Sequence, residues 1–297
     1  MDDLAFDGKV AIITGAGGGL GRSHALELAH RGAFVVVNDL GGAVDGTGSD
    51  TSAAQTVVSE IRSSGGEAVV NHDSVATPEG GEAIVQAAID SYGRIDIIIN
   101  NAGILRDASF KNMTAAQLEP VLDVHLKGAF YVTQPAWEHM RGQSFGRIVN
   151  TSSAAGVFGN FGQSNYGAAK MGLVGLTNVL AVEGAKYNIK VNAIAPIAKT
   201  RMTEDLLGPI ADKLQPELVT PVVTCLVHQD CPVTGEIYTI GGGRVARVFI
   251  GVTPGIMDPE LTAETVRDRF DEIRNLDGYE VPANANDEMM LALKSLG

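Results

Sequence analysis

The sequence predicts an α/β protein built on a parallel, doubly wound sheet. Three observations carry this reading. Short β-branched runs alternate with stretches of helical period along most of the chain. A glycine cluster follows the first run and opens the first helix. Of the 297 residues, 45% are hydrophobic and 19% charged, the composition of a globular chain.

The first strand is Val10–Thr14. The second is 33–39, centred on Val35, Val36 and Val37. Further runs lie at 68–71, 95–100, 147–152, 189–195 and 237–240. Their nearly continuous hydrophobicity reads as burial on both faces, which a sheet obtains when helices cover both sides. Helical patterns fill the intervals at 20–30, 52–63, 79–91, 115–140, 166–187 and 217–228. A helix between two strands makes the pair parallel. No internal repeat is visible. Composition shifts near Thr253, and 251–297 holds ten acidic and four basic residues, with prolines at 254, 259 and 282. We therefore expect a dinucleotide-binding domain over 1–250 and an acidic extension over 251–297. Two short helices are expected in the extension, at 263–275 and 287–295, packing on the domain or on a partner subunit.

Lys+Arg number 22 against 35 Asp+Glu, a formal charge of −13. That balance argues against a nucleic-acid partner and against an anionic membrane surface. It does not exclude an anionic ligand, because backbone dipoles at a helix N-terminus act locally. Cys225 and Cys231 form no CxxC pair and read as two reduced thiols with no metal site. Residues 1–8 are acidic and lack an apolar signal core, and the end Ser295-Leu296-Gly297 is no peroxisomal address. The longest apolar runs fall far below the roughly 18 residues of a membrane span. A cytoplasmic protein is expected.

Thr14-Gly15-Ala16-Gly17-Gly18-Gly19-Leu20-Gly21 joins the first strand to the first helix. Gly15 permits the tight turn, Gly19 lets backbone approach a pyrophosphate, and Gly21 lets the helix lie close to the sheet. The helix N-terminus beginning at Leu20 then offers free N–H groups to the phosphates. Asp39 ends the second strand, where a carboxylate accepts hydrogen bonds from ribose hydroxyls and repels the extra phosphate of NADP. No Lys or Arg stands between Gly15 and Gly21, and Arg22 lies just inside the helix. NAD is the expected cofactor. Asp73, Ser74 and Val75 close the third strand and Asn100, Asn101, Ala102 and Gly103 the fourth, at the carboxyl ends where such sheets bind ligands. Taken singly, each of these segments also reads as a turn.

Tyr166 and Lys170 stand four apart on one helix face, and Ser153 lies just past the fifth strand. A phenol of ordinary pKa about 10 is a poor base at neutral pH, and a nearby ammonium favours the phenolate. Tyr166 could then take a proton from an alcohol while Ser153 orients the same oxygen. Alone, such a Tyr–Lys pair fits a solvated helix face; its place downstream of a dinucleotide fold gives it weight.

Taken together, Thr14-Gly-x-x-x-Gly-x-Gly21, Asn100-Asn-Ala-Gly103, Ser153 and Tyr166-x-x-x-Lys170 resemble the short-chain dehydrogenase/reductase family. The resemblance implies a Rossmann fold with a seven-stranded parallel sheet, catalytic roles for Ser153, Tyr166 and Lys170, and a homodimer or homotetramer built on helix–helix contacts. It further implies that Ala198 and Thr200 hold the nicotinamide amide. A narrower likeness is carried by Val35-Val-Val-Asn-Asp-Leu-Gly-Gly42, Asn101-Ala-Gly-Ile-Leu-Arg-Asp107 and Phe158-Gly-Asn-Phe-Gly-Gln163. These are similar to the dehydrogenase units of the peroxisomal type 2 multifunctional enzymes, which oxidise (3R)-hydroxyacyl-CoA and 17β-hydroxysteroids, and to bacterial relatives in steroid degradation.

Several positions depart from the family pattern. His125 stands where the family usually has Asn, and the resemblance gives that position a water relay to Lys170. Pro196 is followed by Ile197 rather than glycine, the next loop runs one residue short, and 41–50 is an enlarged glycine-rich loop without an assigned role. The expected substrate is an acyl-CoA or a steroid alcohol, with Arg106, Lys111, Lys199 and Arg201 as candidates for CoA phosphates or as plain surface charges. A 3-oxoacyl carrier-protein reductase is the alternative enzyme, and a non-catalytic cofactor-binding scaffold the alternative class.

Overall fold

Alternation along each strand splits its side chains between two cores. The computed structural model describes residues 4–203 and 208–294. In β1 (Val10–Thr14), Ala11 and Ile13 enter one core while Val10 and Ile12 enter the other. The same division holds in β2 (Phe34–Asn38), where Val35 and Val37 part from Val36. The sheet continues with β3 (Glu67–Asn71), β4 (Ile97–Asn100), β5 (Gly146–Thr151), β6 (Ile189–Pro196), β7 (Ile237–Gly241) and β8 (Arg244–Val248). Its order is 3-2-1-4-5-6-7-8, and every recorded pairing from β3 to β7 is parallel. Register is tight at the centre, with Ile13 opposite both Val37 and Ile99.

Helices cover both faces, as the buried runs require. On one face α1 (Gly19–His30), α2 (Ser52–Ser63) and, later in the chain, Thr220–Val227 bring Leu28, Ile61 and Val223 to the first core. On the other, α3 (Pro78–Tyr92) supplies Ile84 and Val85. Two helices follow α3 across the same layer, α4 (Ala115–Leu122) and α5 (Gly128–Gln143), and α5 buries Val132, Ala136 and Met140 there. The short α6 (Ala154–Phe158) then leads into the long α7 (Ser164–Gly184). The helix Thr220–Val227 is α8.

Three expectations are corrected. The sheet has eight strands, not seven. Gly242 and Gly243, both at positive φ (56° and 82°), make a two-residue turn that folds β8 back against β7 as an antiparallel edge. Its Arg-x-x-Arg pattern on an exposed edge lacks the apolar run by which the buried strands were recognised. The expected helix 115–140 is broken by a π turn at Asp123–Lys127, because one extra residue per turn leaves the apolar period almost unchanged. The pattern at 217–228 begins as a 3-10 turn, Pro216–Leu218, before α8 restarts with Pro221 in its first turn.

The chain forms two compact units, Met1–Arg247 and Val248–Gly297. In the second, Phe249 stacks on Tyr279 at 5.4 Å and Val252 pairs with Glu280. Its helices are α9 (Ala263–Asp268), α10 (Phe270–Ile273) and α11 (Ala285–Lys294); the expected end at 295 lies outside the described residues. Among the described residues no helix is long and apolar enough to cross a membrane.

Candidate active site

Strand order reverses between β1 and β4, so the loops leaving their carboxyl ends diverge and open a crevice. A cleft of about 410 Å³ lies there. At its floor Gly15 turns at φ +66°, and a Cβ on it would stand 2.8 Å from Ala102 Cα. Asn101 clamps this turn: its side-chain amide donates to the Thr14 and Gly15 carbonyls (3.0 and 3.1 Å), and its own N–H reaches Thr14 Oγ1 (3.0 Å). Gly21 sits behind the loop, where a Cβ would meet the Gly15 carbonyl at 2.3 Å. Of the expected cofactor residues, Gly15, Gly19, Leu20, Asp39, Asp73, Ser74, Val75, Asn101, Tyr166, Lys170, Ala198 and Thr200 all line the cleft. Gly21 is not among them and packs α1 against the loop.

Asp39 holds the adenosine end together. One carboxylate oxygen accepts from Gly17 N–H and the other from Gly41 N–H, each at 2.7 Å. Arg22 is paired with Glu60 on α2, so its charge is directed away from the loop. Asn71 and Asp73 are tied by reciprocal bonds, and Asn38 donates to Asn71 Oδ1 and the Asp73 carbonyl (2.7 and 2.9 Å). These bonds shape a wall of small residues and backbone. A glycine-lined turn at a helix N-terminus beside a ribose-height carboxylate fits a nicotinamide dinucleotide. At the other end, Thr200 leans over the loop: a Cβ on Gly19 would stand 3.3 Å from its methyl group.

The proton-transfer candidates meet at the cleft's inner end. Ser153 caps α6, accepting from Ala155 N–H at 3.2 Å, and its hydroxyl hydrogen-bonds the Tyr166 phenol. Burial pushes that phenol upward; the Ser153 bond works against the shift and Asp107 adds to it. Lys170 is 3% exposed, donates to the Thr151 carbonyl, and stands 5.4 Å from the Tyr166 ring centre. With no carboxylate beside it, burial draws its ammonium down to about 7. In the chain itself burial therefore outweighs the ammonium–phenolate attraction expected from the sequence, and both groups favour their neutral forms.

The π turn brings His125 inward. Its Nε2 lies 2.8 Å from the Ile104 carbonyl and 3.0 Å from the Ile104 N–H, and its ring packs edge-on against Tyr166 at 5.1 Å. Burial, then the Lys170 charge, hold the imidazole well below its ordinary value, with the Ile104 bond opposing. It is a neutral ring, not the near-neutral titrating group its residue type suggested. A cavity of about 10 Å³, the space of one water, is bordered by both His125 and Lys170.

The charged candidates divide. Arg106 and Arg201 line the cleft, Lys199 pairs with Asp212 at 3.1 Å, and Lys111 stands outside the lining. Sequence reasoning missed the supports beneath the site. Ser152 donates to the Lys170 carbonyl (2.8 Å), and Asn150 joins Asn100 to Thr177 across β4, β5 and α7. Polar residues inside otherwise apolar strands were the available signal, since a buried amide needs partners.

A dinucleotide crevice ending in a Ser–Tyr–Lys set defines an oxidoreductase acting on alcohols. The chain belongs to the short chain dehydrogenase family, whose model matches residues 9–208. Over 96% of its length it is 50% identical to peroxisomal multifunctional enzyme A of Dictyostelium discoideum, of which it spans 64%. It is 52% identical, over 92% of its length, to a short-chain type dehydrogenase/reductase of Mycobacterium tuberculosis, covering 96% of that protein. Full-length peroxisomal multifunctional enzyme type 2 from Drosophila melanogaster superposes with a TM-score of 0.82 at 37% identity, over 99% of this chain and 50% of that one. The chain thus spans between half and two thirds of these multifunctional relatives and nearly all of the mycobacterial one.

Proposed function

We propose that the chain oxidises (3R)-hydroxyacyl-CoA to 3-oxoacyl-CoA with NAD. The observation that carries this is one cleft holding Ser153, Tyr166 and Lys170 at one end and Asp39, anchored on the phosphate loop, at the other. When bound, the oxidised dinucleotide supplies the hydride acceptor and a positive charge. Ser153 holds the alcohol oxygen, and Tyr166 removes its proton. Lys170, drawn down to about 7, takes and returns protons close to physiological pH. Asp39 selects NAD because a second phosphate would face a carboxylate whose oxygens already hold two backbone N–H groups. The same residue disfavours an NADPH-linked carrier-protein reductase, and the complete Ser–Tyr–Lys set disfavours a scaffold. A 17β-hydroxysteroid presents the same secondary alcohol on an apolar body. The free thiols of Cys225 and Cys231 support a reducing compartment such as the cytoplasm.

The test is NADH formation from NAD with (3R)- and (3S)-hydroxyacyl-CoA and with steroid alcohols, repeated with NADP. We expect turnover of the (3R)-thioester with NAD. Absence of turnover with every alcohol overturns the reading, and preference for a steroid corrects its substrate.

A further inference from the structure

The loop 41–50, which the sequence left without a role, is docked along the segment 104–106. Ala43 N–H to the Thr47 carbonyl (2.8 Å) closes the loop on itself. The Val44 carbonyl accepts from Leu105 N–H (2.9 Å), and the Asp45 carbonyl from Arg106 Nε (2.8 Å). Gly46 lies so close that a Cβ there would stand 3.1 Å from Ile104. The loop also lines the cleft beside Asp39, on the adenosine side.

Arg106 faces two ways. A second guanidinium nitrogen donates to the Ala116 carbonyl in the first turn of α4 (2.8 Å). Its own carbonyl accepts from the Asn165 amide at 2.9 Å. Asn165 is 1% exposed, donates also to the Gln117 carbonyl (2.8 Å), and accepts the Tyr166 backbone N–H (2.8 Å). The Asn165 amide thereby uses both its donor and acceptor ends, so its side chain has one satisfied orientation. A continuous path runs from the cofactor-side loop, through the Arg106 side chain and carbonyl, to the residue that fixes the start of Tyr166's helical turn.

We propose that Arg106 and Asn165 are a positioning pair that couples occupancy of the adenosine side to the placement of Tyr166. This rests on the reading of Tyr166 as the proton-transfer residue. Cofactor against the 41–50 loop holds the Asp45 carbonyl, which orients the guanidinium; the guanidinium fixes the 104–106 backbone, and Asn165 carries that position to Tyr166. Arg106 thus serves a loop and two carbonyls rather than a CoA phosphate.

The test compares wild type with Arg106→Met, Asn165→Ala and the double variant, and uses Arg106→Lys should Arg106→Met not fold. The readouts are NADH affinity, turnover at saturating NAD, and NADH-induced protection of backbone amides near 163–167 from hydrogen exchange. Loss of the two guanidinium bonds is expected to weaken NADH about tenfold. Turnover at saturating NAD falls as well, NADH no longer protects the 163–167 amides, and the double variant is no slower than the worse single. The proposal is overturned if Arg106→Met weakens NADH yet keeps full turnover and protection, if NADH binding is unchanged, or if the two turnover losses multiply. Failure of the functional reading is separate, because it appears as absent turnover in wild type, whereas NADH binding and amide protection read the coupling without any substrate.

Discussion

At the residue scale, chemistry depends on where a few charges sit relative to water. Tyr166 is the one phenol in the cleft, so Tyr166→Phe should lower turnover by about 100-fold or more while NADH still binds; retention of most turnover would remove it from the mechanism. Asp39 acts through charge and through two backbone bonds. Wild type should prefer NAD over NADP by roughly 100-fold in kcat/KM. Asp39→Asn should narrow that preference while keeping much of the loop's shape; equal use of both cofactors by wild type would refute the assignment. Lys170 makes a pH prediction. Its folded value is about 7 against an ordinary 10.5. Between those values the unfolded chain carries the additional proton, so this residue makes stability rise with pH across that window and costs most below it. Lys170→Met should therefore melt higher than wild type below pH 7, with the difference shrinking towards 10.5. A difference independent of pH would show that the buried ammonium is not its source.

At the element scale, the π turn is where helix geometry serves the site. A continuous α-helix over 115–140 would carry His125 round its axis; the widened turn sets its Nε2 on the Ile104 backbone. His125→Ala should open the small cavity beside Lys170 and let water reach the ammonium. Turnover should fall several-fold, and the limb of its pH profile governed by Lys170 should move to higher pH as burial is relieved. A lower melting temperature with an unchanged profile would leave His125 a structural residue. Elements with strong period were legible from the residues alone: β1 and α2 fall where the pattern put them. The Gly15–Gly21 turn, Asp39 and Tyr166–Lys170 were legible because fixed spacing brings them to one end of the sheet. The π turn, β8 and α6 were not. A π turn changes spacing by one residue, β8 exposes alternate charges, and α6 is five residues held by the Ser153 cap. Nor could any periodicity show that Arg106 and Asn165, 59 positions apart, share a hydrogen bond.

At the scale of the whole molecule, α7 is too apolar for a helix with one face in water. Its inner face buries Leu173, Val174 and Thr177, yet Met171, Val179 and Val182 lie outward, Val179 54% and Val182 57% exposed. With Gly175 these positions fall at i, i+4, i+8 and i+11, a stripe along one side. Phe130 on α5 adds an aromatic ring that is also exposed. A stripe with a glycine in its middle lets a second helix approach closely, and short-chain dehydrogenases are typically oligomeric. The natural cover is the same stripe of another copy, related by a two-fold axis that brings α7 against α7. Placing a carboxylate on each copy at such an axis sets like charges together in an apolar contact, a cost of several kcal/mol per dimer. Val179→Glu combined with Val182→Glu should convert the dimer or tetramer into smaller species in sedimentation equilibrium. The sheet and cleft are built within one copy, so far-ultraviolet circular dichroism and NADH binding should persist in the dissociated form. Monomeric wild type, or an assembly that survives both carboxylates unchanged, would exclude the α7 stripe as the contact.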